Sequence, residues 1–218
     1  MAINTYATLV SAITEYLARD QDATLTARIP DFITLAEAKF NRILFMPQME
    51  TRDTLTVDTG ATSPELLDLP TDFQSFRRNP RLSGVTGKPA LEFLTGTQMD
   101  DLRFARDDTT GQPLYYSVGG SQIELLPTPN DDYDVEIVYR AKISALTSTN
   151  TTNWLLTLAP DLYLYGALME AAPYTKNQTW LPVWVSGFTT ALDALTSLGD
   201  RQAFDSGPST LVLPGPVP

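Results

Sequence analysis

Apolar positions recur at helical spacing at both ends of this chain and alternate through its middle. Tyr6, Leu9, Val10, Ile13 and Leu17 predict an amphipathic helix over residues 4–19, with Thr5 as candidate N-cap. A polar break at 20–26 precedes TARIPDFITLAEAKFNRILF, which predicts a second helix. Thr26 is expected near its cap and Pro30 in its first turn. Ile29, Phe32, Ile33, Ala36, Phe40, Ile43 and Leu44 share one face, and Pro47 marks the end.

From Met49 the period falls to two. Strands are predicted at 49–58, in the returning segment ELLDLP, and at 73–82, 90–94 and 133–143. Thr95 is expected to cap a short helix over 98–104, and 107–112 reads as a turn-rich loop. The clearest hairpin is PLYYSVGGSQIELLPTP, with Gly119-Gly120 as the tight turn between 114–118 and 122–126.

A Ser/Thr/Asn-rich linker at 144–153 leads into WLLTLAPDLYLYGALMEAAPYTKN. Between Pro160 and Lys176 the charges in that stretch are Asp161 and Glu170. A helix apolar all round needs neighbours on every side. A final helix is predicted over about 178–198, presenting Trp180, Leu181, Val183, Trp184, Phe188, Leu192 and Leu195, with Gly199 as its stop. Beyond Phe204, SGPSTLVLPGPVP surrounds one small apolar knot, Leu211-Val212-Leu213, with Pro and Gly.

The predicted class is α+β. About four helices from the two chain ends (4–46 and 154–198) form a bundle, with an antiparallel β-rich insertion at 48–143. Residues 1–203 would be the main domain and 204–218 an extended C-terminal tail, which cannot fold alone.

Charge narrows the chemistry. The 218 residues carry a net charge of −11, which argues against a general phosphate-binding surface, since that needs clustered Lys and Arg. Cysteine and histidine are both absent. Disulfides, thiolate nucleophiles and Ser-His-Asp or Cys-His triads are therefore excluded, along with the commonest transition-metal ligands. MAINTYATL has no basic n-region, and no apolar run approaches the ~20 residues of a membrane span. The expected product is soluble and made in the cytoplasm.

Carboxylates remain. Asp100-Asp101, Asp107-Asp108 and Asp131-Asp132 could serve a glycosidase that works without histidine, or could be solvated turn and cap residues. Asn130, Asp132, Asp134 and Glu136 alternate like a calcium loop. The Gly and Glu of an EF-hand are replaced here by Val135 and Ala141, so a dedicated metal site is not expected. Gly119-Gly120 lacks the Lys and following helix of a phosphate loop. Arg77, Arg78, Arg81, Arg103 and Arg106 are the local basic concentrations. They could touch phosphates or pair with carboxylates of a neighbouring acidic subunit, for which the planar guanidinium is suited. Tyr115 and Tyr116 could stack on bases, though strand propensity explains them. Tyr163, Tyr165, Tyr174, Trp180 and Trp184 could be core, subunit interface or both.

Four segments in order, ARIPDFITLAEAKFNRIL, LPTDF, TGQPLYYSVGGSQIELLPTP and NWLLTLAPDLYLYGALMEAAPY, resemble the adaptor (head–tail connector) proteins of tailed bacteriophages, podovirus type. The resemblance runs from about residue 1 to 198 and rests on packing and turn motifs, so no catalytic residue is carried over. It implies a structural virion protein of the neck: a dodecameric ring that binds the portal protein, seats the tail or nozzle and continues the DNA channel. Its implied partners are the portal, the tail or nozzle protein and further copies of itself, with genomic DNA passing unbound and no cofactor or membrane involved. Subunit contacts are then expected at Tyr163, Tyr165, Trp180 and Trp184. Portal or neighbour docking is expected at Leu211, Val212 and Leu213, since fifteen extended residues reach on the order of 50 Å. Acidic loop or lumen positions are expected at Asp100, Asp101, Asp107 and Asp108. A neck-stopper or baseplate protein, or a carboxylate-dependent glycosidase, are the alternatives.

Overall fold

A computed structural model of the chain describes residues 2–18, 22–87, 89–106, 109–176 and 178–204, with side chains to residue 202. Asp107, Asp108, Leu211, Val212 and Leu213 lie outside the described residues. The chain divides into two compact units, Met1–Gln48 with Ile143–Pro218, and Met49–Lys142.

The first unit is helical. It holds α1 (Tyr6–Tyr16), α2 (Ala23–Thr26) and α3 (Ile29–Ile43); the second unit holds α4 (Gly96–Ala105). Back in the first unit follow α5 (Trp154–Leu158), α6 (Pro160–Thr175) and α7 (Leu181–Phe204). Thr5 caps α1 as expected. Its hydroxyl accepts the Thr8 N–H at 3.3 Å, and the Thr8 hydroxyl accepts the Thr5 N–H at 2.9 Å. Thr26, expected to cap the second helix, instead ends α2, whose own cap is Asp22. Helix α3 starts at Ile29 with no side-chain cap; Pro30 in its first turn has no N–H to satisfy, and Asp31 suits the positive helix end.

Helix α6 is buried along most of its surface, through Leu162, Tyr163, Leu164, Gly166, Ala167, Leu168, Ala171 and Ala172, with Asp161, Pro173 and Tyr174 exposed toward its ends. The same copy supplies the cover: α1, α3, α5 and α7 all pack on it. Glycine permits the closest approaches. A Cβ on Gly166 would lie 2.8 Å from Phe40 Cζ, and one on Gly187 would lie 2.8 Å from Tyr165 Cε2. Gly199, expected to stop the last helix, lies inside α7, which runs on to Phe204. A Cβ there would meet Met46 Sδ at 2.6 Å, so this glycine serves packing rather than termination.

The second unit is a β-sandwich. Its strands are β1 (Glu50–Thr56), β2 (Leu66–Asp68), β3 (Phe73–Ser83), β4 (Glu92–Phe93), β5 (Thr110–Gly111), β6 (Tyr115–Gly119), β7 (Gln122–Leu126), β8 (Thr128–Pro129) and β9 (Asp134–Ala141). One sheet has the order β1-β9-β3 and the other β2-β7-β6-β4; β5 and β8 form a small pair. Pairing in the first sheet is antiparallel, while β4–β6 and β5–β8 are short parallel pairs within the predicted antiparallel insertion. The segment ELLDLP does not return along β1; its strand β2 pairs with β7 in the other sheet. The core between the sheets holds Val57, Leu67, Leu82, Leu91, Tyr116, Ile123, Leu125, Val135, Ile137 and Tyr139. In the hairpin, Gly119 pairs with Gln122, so the two-residue turn is Gly120-Ser121 rather than Gly119-Gly120. Gly120 takes φ 62, as the first central residue of a mirror-image turn requires.

Phe40 is fully buried, edge-on to Tyr163 and stacked on Phe188, so it cannot yield to a new methyl group. Gly166→Ala should lower unfolding free energy by about 1–3 kcal/mol in chemical denaturation, despite Ala's better helix propensity. Gly199→Ala should change it by less than about 1 kcal/mol, because the thioether of Met46 is flexible. Equal losses at the two sites would show that close helix approach does not depend on Gly166.

Candidate functional site

Among the described residues, Glu37 is the one charged residue that is buried, at 5% exposure. It sits on the inner face of α3, and its Oε1 accepts the Leu146 N–H at 2.8 Å and the Tyr163 hydroxyl at 3.0 Å. The Tyr163 oxygen in turn accepts from Asn153 Nδ2 at 2.7 Å, and that amide also donates to the Ser144 carbonyl at 2.7 Å. Asn153 Oδ1 caps α5 through the Leu156 N–H at 2.8 Å. Burial pushes the Glu37 carboxyl up, against the two hydrogen bonds that favour its charge. Burial, then the Glu37 charge, pushes the Tyr163 phenol up as well.

Among the described residues no buried side-chain polar atom is left without a partner. The network therefore acts as a lock that holds the 144–153 linker against α3 and α6. The two charges of α6 are also accounted for. Glu170 pairs with Lys39 at 2.6 Å, and the same ammonium lies 5.8 Å from the Phe188 ring centre. Asp161 accepts the Leu162 N–H in the first turn of α6 at 3.0 Å.

The aromatic residues singled out in the sequence take different positions. Tyr163 is fully buried in the helical unit and Trp184 is nearly so, while Tyr165 is half-buried against Gly187. Trp180 is 55% exposed before α7, with Val183 and Tyr174 also exposed. In the sandwich, Asp132 accepts both the backbone N–H and the hydroxyl of Thr59, which lowers its carboxyl below the usual value. Asn130 accepts the Tyr133 hydroxyl and Asp134 accepts the Thr56 hydroxyl, so these side chains do not converge on a common point. Among the described residues, no three acidic groups gather as a metal would require.

Two outward faces of the sandwich have definite chemistry. On the β1-β9-β3 sheet, Arg52 and Arg78 both reach Glu136, at 3.7 and 2.8 Å, and Arg77 reaches across to Glu50 at 3.4 Å. Irregular pairing between β3 and β9 re-aims this arginine run, and Arg81 is brought opposite Glu136. On the other sheet, α4 covers the face of Tyr115 and Glu124. Arg103 bonds Glu124 at 2.5 Å, the Arg106 guanidinium lies 5.6 Å from the Tyr115 ring centre, and Met99 is fully buried. Away from that contact, α4 exposes Asp100, Asp101 and Phe104; Phe104 is 91% exposed. The carboxylate pair was legible in the sequence. Phe104 was not singled out, because one Phe in a short helix is normally read as its buried anchor.

A family model described as the SU10 adaptor protein matches residues 4–212 of the chain. No curated protein matches it. The match covers both compact units and agrees, at the level of a phage adaptor family, with the resemblance drawn from the quoted segments. Among the described residues no helix is long and apolar enough to cross a membrane.

The lock predicts a sign for the pH dependence. With its pKa raised in the fold, Glu37 binds its proton more tightly folded than unfolded. Its ionised form therefore costs stability, and that cost grows as pH rises from the ordinary carboxylate range through the raised value. Glu37→Gln keeps an acceptor without the charge. It should match or exceed the natural chain in thermal stability at neutral pH, and the difference should shrink as pH falls. Glu37→Ala strands the Leu146 N–H and Tyr163 hydroxyl and should cost about 1–3 kcal/mol. Melting curves across pH check both; a Gln variant that loses stability as pH rises, relative to the natural chain, would reverse the assignment.

Proposed function

Because the chain belongs to the SU10 adaptor protein family, we propose that it is the head–tail adaptor of a tailed phage of the podovirus type. In this reading it is a non-enzymatic virion protein of the neck. Copies form a dodecameric ring beneath the portal, seat the tail or nozzle, and extend the channel through which DNA leaves. The observation that carries the reading is the family match over residues 4–212, which takes in both units rather than one shared module. The chemistry agrees with it. A chain of net charge −11 without His or Cys suits a passage that DNA must slide through without binding.

Residues 204–218 complete the proposal. They carry Leu211, Val212 and Leu213 into a groove of the portal or of a neighbouring adaptor, and the family match itself runs on to residue 212. Trp180, exposed before α7, is the interface aromatic with surface to offer. Asp100 and Asp101, with Asp107 and Asp108, supply acidic loop or lumen positions.

Mixing the purified chain with portal rings and imaging single particles should reveal a second ring stacked on the portal. Portal particles left bare at saturating adaptor would overturn the adaptor reading. Deleting residues 204–218 should weaken portal binding by about tenfold or more with the circular dichroism spectrum unchanged. Unaltered binding would remove the tail from the account and leave the ring standing.

A further inference from the structure

The β-sandwich presents opposite chemistry on its two sides. In the β1-β9-β3 sheet, alternate residues of β9 (Val135, Ile137, Tyr139 and Ala141) face the core. Asp134, Glu136, Val138 and Arg140 therefore take the outer side. Their register partners place Glu50, Arg52, Arg78 and Arg81 beside them, and Arg77 crosses the same side to reach Glu50. Five arginines thus stand with three carboxylates on one sheet face of a chain whose net charge is −11. Val138, paired with Arg52 on one side and Arg78 on the other, is only 2% exposed. The guanidinium ends stay in solvent: the side chains of Arg52 and Arg77 are each 70% exposed.

The far side is built of the other polarity. Helix α4 lies over the outer face of the β2-β7-β6-β4 sheet, held by Arg103 on Glu124 and by Arg106 over Tyr115. Asp100 and Phe104 are one helical turn apart, and Asp101 stands three residues before Phe104, so all three form one outward knob. An aromatic ring between two carboxylates is a good complement to a guanidinium array. The planar cation can stack on the ring and bond the carboxylate forks. The Arg106–Tyr115 contact shows the stacking chemistry within one copy.

We infer that the arginine face of the β1-β9-β3 sheet in one copy docks on the Asp100–Asp101–Phe104 face of α4 in a second copy. Because the two faces lie on opposite sides of one sandwich, the contact is heterologous and repeats from copy to copy, as closing a ring requires. The inference deepens the adaptor reading by naming the surface that joins neighbours, and it rests on that reading for its closed geometry. The interleaved Glu50, Glu136 and Asp134 disfavour a phosphodiester backbone as the occupant, since it would meet like charge at three places on the face.

The chain has no native cysteine, so introduced thiols report contact without interference. A copy carrying Arg81→Cys mixed with a copy carrying Phe104→Cys should form a mixed disulfide several-fold faster than Arg81→Cys mixed with Leu35→Cys, an exposed position on the helical unit. Equal rates would overturn the inference. In sedimentation at low salt and with portal rings, Arg78→Glu with Arg81→Glu, or Asp100→Arg with Asp101→Arg, should each weaken association between copies by about tenfold. The two pairs combined in one chain should restore it, which also excludes misfolding as the cause. Association that survives both reversals, or a double reversal that fails to restore it, would place the contact elsewhere. If Arg78→Glu with Arg81→Glu lowers retention of duplex DNA while leaving association between copies unchanged, the face serves nucleic acid and the inference fails. Rings on the portal that ignore every substitution would sink this interface while leaving the adaptor reading intact. Bare portals with the natural chain would sink that reading, and the thiol pairing would still decide the contact.

Discussion

Helix α6 has no polar face to give to water, and neither half of the chain can cover it alone. Its cover comes from α1 and α3 on one side of the sequence and from α5 and α7 on the other. Burial of a large apolar side chain contributes roughly 1.5–3 kcal/mol, so a helix carrying Leu162, Tyr163, Leu164 and Leu168 strongly favours bringing the two chain ends together. That closure leaves residues 49–142 as an excursion from the bundle, free to form a separate compact unit. The polar groups that must enter the bundle do so in matched sets. Glu37, Tyr163 and Asn153 satisfy one another and hold the linker, and Lys39 meets Glu170.

Because most of α6 is covered within one copy, the proposed contact between copies draws mainly on other surface. Exposed side chains include Trp180, Val183, Tyr174, Phe45, Tyr16 and Leu35 in the helical unit and Phe104, Phe93, Asp100 and Asp101 in the sandwich, with the arginine face on the sandwich's far side. The sandwich surfaces mix aromatic and charged groups. Such surfaces stay soluble in the free subunit and gain specificity from charge and orientation when they meet a complement. Opposite charges on one surface cancel beyond about one Debye length, ~8 Å at physiological salt, so only the net acidic excess is felt at long range.

Local patterns read well where a single physical rule governed them. The Thr5 cap, the α3 face from Ile29 to Phe40, and the alternation in β9 all followed from period and capping chemistry. Two local rules misled. Gly199 resembled a stop because glycine often ends helices, yet α7 runs on past it to Phe204 and it lets Met46 pack close against the helix. Gly119-Gly120 resembled the turn, yet pairing with Gln122 moved the turn one residue on. ELLDLP read correctly as a strand, but its partner was invisible, since strand pairing depends on residues far along the chain.

The sequence by itself determined the α+β layout, the need of α6 for complete cover, and the exclusion of histidine and cysteine chemistry. Each of these depends on composition or on spacing between near neighbours. Tertiary structure alone decided who covers α6, that Tyr163 serves Glu37 inside the bundle, and that Phe104 points to solvent between two carboxylates. It also decided that Arg52 and Arg140, remote from the arginine run in sequence, join Arg77, Arg78 and Arg81 on one face. The reason is register: an antiparallel partner determines which side chains share a side, and no local window of sequence contains both strands.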